Sequence, residues 1–233
     1  MSDLASGLIY YVVFLFSTTL HEAAHAWAAK LGGDLTAYRG GQVTLDPRPH
    51  IRREPFGMVV LPLISSLASG FPFGFASAPY DPAWALKHPR RAALMALAGP
   101  ASNLLLVLIA VTAIRLGAAA GVFHAPESVS FGEVVNGTDG GSWQALAKLA
   151  GVFFSLNLLL AVFNLIPLPP LDGSAAIPLA LRPDAAQRYQ RFLFSNPGLG
   201  IVGILVAWQA IDKVFHPVFL LAVNTLFPGT TYR

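Results

Sequence analysis

LASGLIYYVVFLFSTTLHEAAHAWAAK, residues 4–30, joins two signals that decide how the rest of the chain is read. Its first part, 4–21, holds no Asp, Glu, Lys or Arg and runs without a break into His21-Glu22-Ala23-Ala24-His25. About 20 apolar residues are what an α-helix needs to cross the hydrocarbon of a bilayer. Further stretches free of those four residue types follow at 55–80, 92–114, 149–171 and 192–211. Each is rich in Gly, Ala, Ser or Pro, which suits close helix packing in lipid. Of the 233 residues, 55% are hydrophobic and 12% charged, about half the charged share of an ordinary soluble domain. A soluble fold of this size could hardly cover that much apolar surface. The expected fold is all-α and polytopic, a bundle of about five to six transmembrane or re-entrant helices with a short membrane-associated β element near 38–48.

Charge sets the expected topology. Lys30, Arg39, Arg48, Arg52, Arg53, Lys87, Arg90 and Arg91 cluster between 30 and 91, and Arg182, Arg188 and Arg191 lie after 172. The stretch 116–147 has no Lys or Arg but carries Glu127, Glu133 and Asp139. The positive-inside rule puts 30–54, 81–91 and 173–195 on the cytoplasmic side and 116–147 outside. With both flanks cytoplasmic, 55–80 is not a simple span, and its breakers Pro55, Gly57, Pro62, Gly70, Pro72, Gly74 and Pro79 favour a re-entrant hairpin. Helices are expected over 4–31, 91–117 and 143–167, with a short one at 173–182. The last apolar region, 196–227, contains Asp212, Lys213 and Pro217 and reads as one broken helix or two short ones. The amino terminus has Asp3 and no basic residue, so it does not read as a cleavable signal. Cysteine is absent, which excludes disulfides and thiolate metal sites. The net charge of +3 reads as a topology signal and not as a nucleic-acid surface.

The chemistry begins at His21-Glu22-Ala23-Ala24-His25. Histidines at i and i+4 share a helix face one turn apart, so both imidazoles can reach one zinc ion. Glu22, beside them, is placed to act on water as a general base. H-E-x-x-H also arises by chance, and a polar helix end can snorkel to the interface. An ionisable cluster at the end of an apolar helix is costly in lipid, however, and points to function. A catalytic zinc needs a third ligand and an open position. Asp172, just past the inner end of the 143–167 helix, is brought by the topology to the depth of His21 and His25. Taken alone, Asp172-Gly173 would read as a helix N-cap. Gly99 and Pro100 read as packing and kink residues, and Asn103 as either an interhelical hydrogen bond or a polar group at the site. His50, His88, His124 and His216 lack ligand spacing, with His50 the strongest exception.

His21-Glu22-Ala23-Ala24-His25, Gly99-Pro100 with Asn103, and Asn164 through Asp172-Gly173, in this order and spacing, resemble the site-2 protease family of intramembrane zinc metalloproteases. Gly41-Gln42-Val43-Thr44-Leu45-Asp46-Pro47 is similar to that family's membrane-associated strand. The resemblance covers nearly the whole chain and implies one integral-membrane metalloprotease domain over 1–233, with a three-helix catalytic core. It implies a single Zn2+ held by His21, His25 and Asp172, Glu22 as catalytic base, and Asn164 as a polar partner of substrate or oxyanion. Gln42, Val43, Thr44 and Asn103 are the expected substrate-binding residues, the first three through strand addition. The implied partners are a transmembrane protein or peptide substrate and the lipid bilayer, with no nucleic acid. The implied location is a multi-pass position in a bacterial inner membrane, with the active site toward the cytoplasm. The chain departs from larger members in starting almost directly at the zinc-binding helix and in lacking PDZ and CBS domains. The alternative is a membrane zinc-binding or substrate-binding protein without catalysis, to which Glu22 would be of no use.

Overall fold

The computed structural model describes residues 3–69, 71–139 and 141–233. Among the described residues four helices are long and apolar enough to cross a membrane, and the chain is a multi-pass membrane protein. They are α1 (Asp3–Gly32), α6 (Pro89–Ala119), α7 (Ser142–Asn164) and α10 (Gly198–Val223). Shorter helices fill the connections: α2 (Thr36–Arg39), α3 (Pro47–Arg53), α4 (Leu61–Ser69), α5 (Pro82–Lys87), α8 (Asp172–Ala176) and α9 (Pro183–Ser195). Pro89 sits in the first turn of α6, where its missing N–H costs nothing. α7 stops at Asn164 because Pro167, Pro169 and Pro170 follow and cannot continue a helix.

α6 packs along both α1 and α7 and is the central helix of the bundle. Towards one end, Val107, Ile114, Val134, Phe154 and Phe219 form the largest apolar core. Towards the other, Trp84 Nε1 and Arg91 Nη1 each donate to the Gly32 carbonyl at 3.2 Å, clamping the end of α1 to α5 and α6.

The re-entrant element at 55–80 has the expected character. A π-helical turn, Phe56–Val60, leads into α4, and the chain then returns in extended form. About 14 helical residues at 1.5 Å each are too short to span. Phe75 N–H donates to Gly57 O at 3.0 Å and Phe73 N–H to Ser65 Oγ at 2.7 Å, closing the hairpin. A Cβ on Gly57 would strike the Phe75 carbonyl oxygen, so the close approach requires glycine there. At the hairpin's far end Phe71 packs between Tyr10 and Phe131, with centroids 5.8 and 5.1 Å away. Gly70, counted among the breakers, lies outside the described residues.

Two expectations need correction. First, 38–48 is not a strand. Asp34 accepts from Thr36 N–H and Oγ1–H, shaping the turn into α2, and Gly41 takes φ +73°. Asp46 then caps α3, with Pro47 in its first turn. Local capping wins because no neighbouring strand among the described residues offers a hydrogen-bond ladder. The β structure described is a two-residue pair, β1 (Phe123–His124) with β2 (Asn136–Gly137), in the loop between α6 and α7. The segment 183–195 adds the amphipathic helix α9. Second, α10 runs unbroken through Asp212, Lys213 and Pro217, the charged pair facing outward from the bundle.

Candidate metal centre

His21, Glu22 and His25 are 6, 5 and 5% exposed, on one face of α1 against α6. Asp172 opens α8, where the proline-rich turn after α7 delivers it to the same point. A Cβ on Gly173 would collide with the Leu165 carbonyl, so the Asp-Gly pair lets that turn fold tightly on itself. His21 Nε2 and His25 Nε2 are 2.9 Å apart, and Asp172 Oδ2 lies 3.1 Å from the first and 3.4 Å from the second. Tetrahedral zinc with bonds of 2.0–2.1 Å separates its ligand atoms by about 3.3 Å. The triangle is close to one face of such a tetrahedron, so the donors fit a divalent ion.

Each imidazole is oriented from behind. His25 Nδ1 donates to Met95 O at 2.8 Å, and His21 Nδ1 donates to Asn103 Oδ1 at 2.6 Å. With Nδ1 carrying the proton, Nε2 keeps its lone pair for a metal. Asn103 Nδ2 donates to Asn157 Oδ1 at 2.9 Å, and Asn157 Nδ2 donates to Ser17 Oγ and Phe153 O, both at 2.9 Å. This relay is fully buried and joins α1, α6 and α7. Space is made by glycine: a Cβ on Gly99 would fall on the Nε2 atoms of both histidines.

The site opens into a cavity of about 380 Å³. Glu22 lines it, and its Oε2 is buried without a hydrogen-bond partner among the described residues. An unpaired buried carboxylate oxygen is costly and marks a position where water or a ligand completes the bonding. Residues 9–194 match Peptidase family M50.

The chain belongs to peptidase family M50, the site-2 protease family. "Putative zinc metalloprotease YwhC" of Bacillus subtilis (strain 168) is 31% identical over 222 residues, covering 89% of this chain and 91% of that protein. "Putative zinc metalloprotease Rip2" of Mycobacterium tuberculosis (strain ATCC 25618 / H37Rv) is 33% identical over 207 residues, 88% of this chain and 69% of that protein. The Rip2 protein of Mycolicibacterium smegmatis is 28% identical over 204 residues. No solved structure matches.

In this M50 chain the structure brings His21, Glu22, His25, Asp172 and Asn164 to one cavity. Asn164 donates through Nδ2 to Leu160 O at 3.0 Å, which leaves its second amide hydrogen free. Asn103, expected to contact substrate, is 0% exposed and sits behind His21, off the cavity wall. Gln42, Val43 and Thr44 are also off the cavity. Gln42 is buried in the turn after α2, and Thr44 O accepts from His50 Nε2 at 3.2 Å, which gives His50 a structural place. The extended return of the hairpin lines that cavity instead, through Gly74, Phe75, Ala76, Ser77, Ala78 and Tyr80. Sequence reasoning missed Asn157, although the signal was present. It is a second amide inside an apolar run, seven residues before Asn164, and such a group must find partners.

Proposed function

We propose that this M50 member is a zinc-dependent metalloendopeptidase that hydrolyses peptide bonds of membrane-spanning or membrane-adjacent segments. The observation that carries this reading is the unpartnered Oε2 of Glu22 in the cavity onto which His21, His25 and Asp172 converge. Zinc held by those three residues would supply the Lewis acidity that makes water a nucleophile at neutral pH. Glu22 Oε2 takes the proton from the attacking water and returns it to the departing amine. The free amide hydrogen of Asn164 donates to the scissile carbonyl oxygen as negative charge grows there. A metal-storing or metal-carrying protein would gain nothing from a buried carboxylate oxygen left without a partner.

Substrate positioning falls to the hairpin. Along an extended chain the backbone groups of alternate residues face the same edge. Phe75 N–H and Ser77 O are taken by Gly57 O and Arg53 Nε. The backbone groups of Ala76 and Ala78, on the opposite edge, find no partner among the described residues. A substrate segment unwound into extended form recovers its own backbone bonds by pairing there. The substrate is thus a transmembrane protein or peptide, entering from the surrounding lipid bilayer.

Orientation follows charge. Lys30, Arg52, Lys87 and Arg90 flank the end of the bundle where Gly32 meets Trp84. Glu127, Glu133 and Asp139 lie in the loop between α6 and α7 at the other end. The basic end faces the cytoplasm, with the site nearer that side, in a bacterial inner membrane. The test uses purified protein, one equivalent of zinc and a panel of transmembrane peptides, followed by mass spectrometry. Cleavage by the native chain and none by Glu22→Gln of equal zinc content is the expected result. Cleavage by Glu22→Gln at the native rate would overturn the assignment.

A further inference from the structure

Gln190 occupies an unexpected place on α9. This helix buries one face, carrying Ala186 and, one turn on, Gln190, which is 7% exposed. An amphipathic helix ordinarily sets an aliphatic residue at such a position. Gln190 instead lines the cavity that holds Glu22 and Asp172, and its Oε1 is buried with no hydrogen-bond partner among the described residues. Burying an amide oxygen unpaired is unfavourable, and a donor entering the cavity beside Gln190 would satisfy it.

The surroundings say what that is. α9 is fastened beside the catalytic turn, where Tyr189 Oη donates to Ser174 O at 3.0 Å, one residue from Gln190 and two from Asp172. It is also fastened to the hairpin, since Phe194 and Tyr80 rings lie 6.5 Å apart. Gln190 and the extended Gly74–Tyr80 segment therefore line one cavity, with apolar side chains such as Phe75, Leu160 and Ile204 also on its walls. A glutamine amide accepts through Oε1 and donates through Nε2, which matches the N–H and C=O of one extended peptide residue.

We infer that Gln190 is a substrate-binding residue that pairs with the backbone of the extended peptide segment in the cavity, supplementing the edge of the hairpin. This rests on the protease reading above. It adds a recognition element from α9, outside the helices that carry the metal donors. Backbone pairing holds the chain whatever its side chains are, while the apolar wall favours hydrophobic ones.

The test uses the transmembrane peptide cleaved fastest by the native protein, and a set of its analogues in which single peptide N–H groups near the cleaved bond are replaced by ester oxygens. Gln190→Leu keeps the size and removes both polar atoms. It is expected to raise KM about five- to tenfold, as for loss of one or two neutral hydrogen bonds, with kcat and zinc content near native. One ester analogue is expected to bind the native protein several-fold more weakly than the parent peptide, and to show no such deficit with Gln190→Leu. Binding is read in the Glu22→Gln background by fluorescence anisotropy, so that it does not depend on turnover. Native KM in Gln190→Leu, or an ester deficit that persists in it, would overturn the inference and leave the protease reading intact. Failure of the native protein to cleave any peptide of the panel would overturn both.

Discussion

His21 Nδ1 donates to Asn103 Oδ1 across 2.6 Å, and through that bond a residue with no exposed surface sets which imidazole nitrogen faces the metal centre. Asn103→Leu removes the acceptor and leaves Asn157 Nδ2 and Ser17 as the remnant of the relay. Zinc affinity is expected to fall about ten- to a hundredfold, the usual loss when a group behind a ligand is removed. Asn103→Asp keeps the acceptor for His21 and should retain more of the affinity than Asn103→Leu. Competition with a chromogenic chelator measures both.

Asp172 should matter more than the relay, since it is the proposed third ligand. Asp172→Ala is expected to lose zinc by more than the factor seen for Asn103→Leu. Asp212→Ala, at an outward-facing position on α10, should leave zinc affinity and thermal stability unchanged. Stoichiometric, tightly held zinc in Asp172→Ala would place the third ligand elsewhere.

Gly99→Ala tests the space in front of the histidines. The added Cβ would meet the Nε2 atoms of His21 and His25, so the pair must separate or α6 must move away from α1. Overpacking of this kind costs about 1–3 kcal/mol. The expected outcome is a lowered melting temperature together with impaired zinc binding. Alanine at Gly198, where a Cβ would meet nothing within 4 Å, is the matched control.

Asn164→Ala separates chemistry from structure. The side chain bonds to Leu160 O within its own helix, and its removal leaves that helix intact. Loss of an oxyanion donor costs about a hundred- to thousandfold in turnover, with zinc content and melting near native. Activity close to native, or loss of fold, would assign Asn164 a purely structural part.

Much of the site was legible because its determinants are local or run along one helix. Spacing of four residues puts His21 and His25 on one face of any helix, and a charge-free run before them requires that helix to lie in a membrane. Proline placement ends α7 and makes 55–80 a hairpin. These follow from steric and solvation rules that act within a few residues, and the chain determined them by itself.

Tertiary structure decided what depends on partners distant in sequence. Gln42, Val43 and Thr44 have the composition of a strand, yet a strand exists only where a second one supplies its hydrogen bonds, and none of the described residues forms one beside them. Gly74–Tyr80 became the cavity wall because Gly57 and Arg53 take up one edge of its backbone. Asn103 turned away from substrate because Asn157, 54 residues on, is where its amide finds an acceptor. Gln190 reached the cavity because Tyr189 is held by Ser174. A polar group taken out of water must be satisfied by whichever group folding brings within about 3 Å, and the linear sequence does not contain that distance.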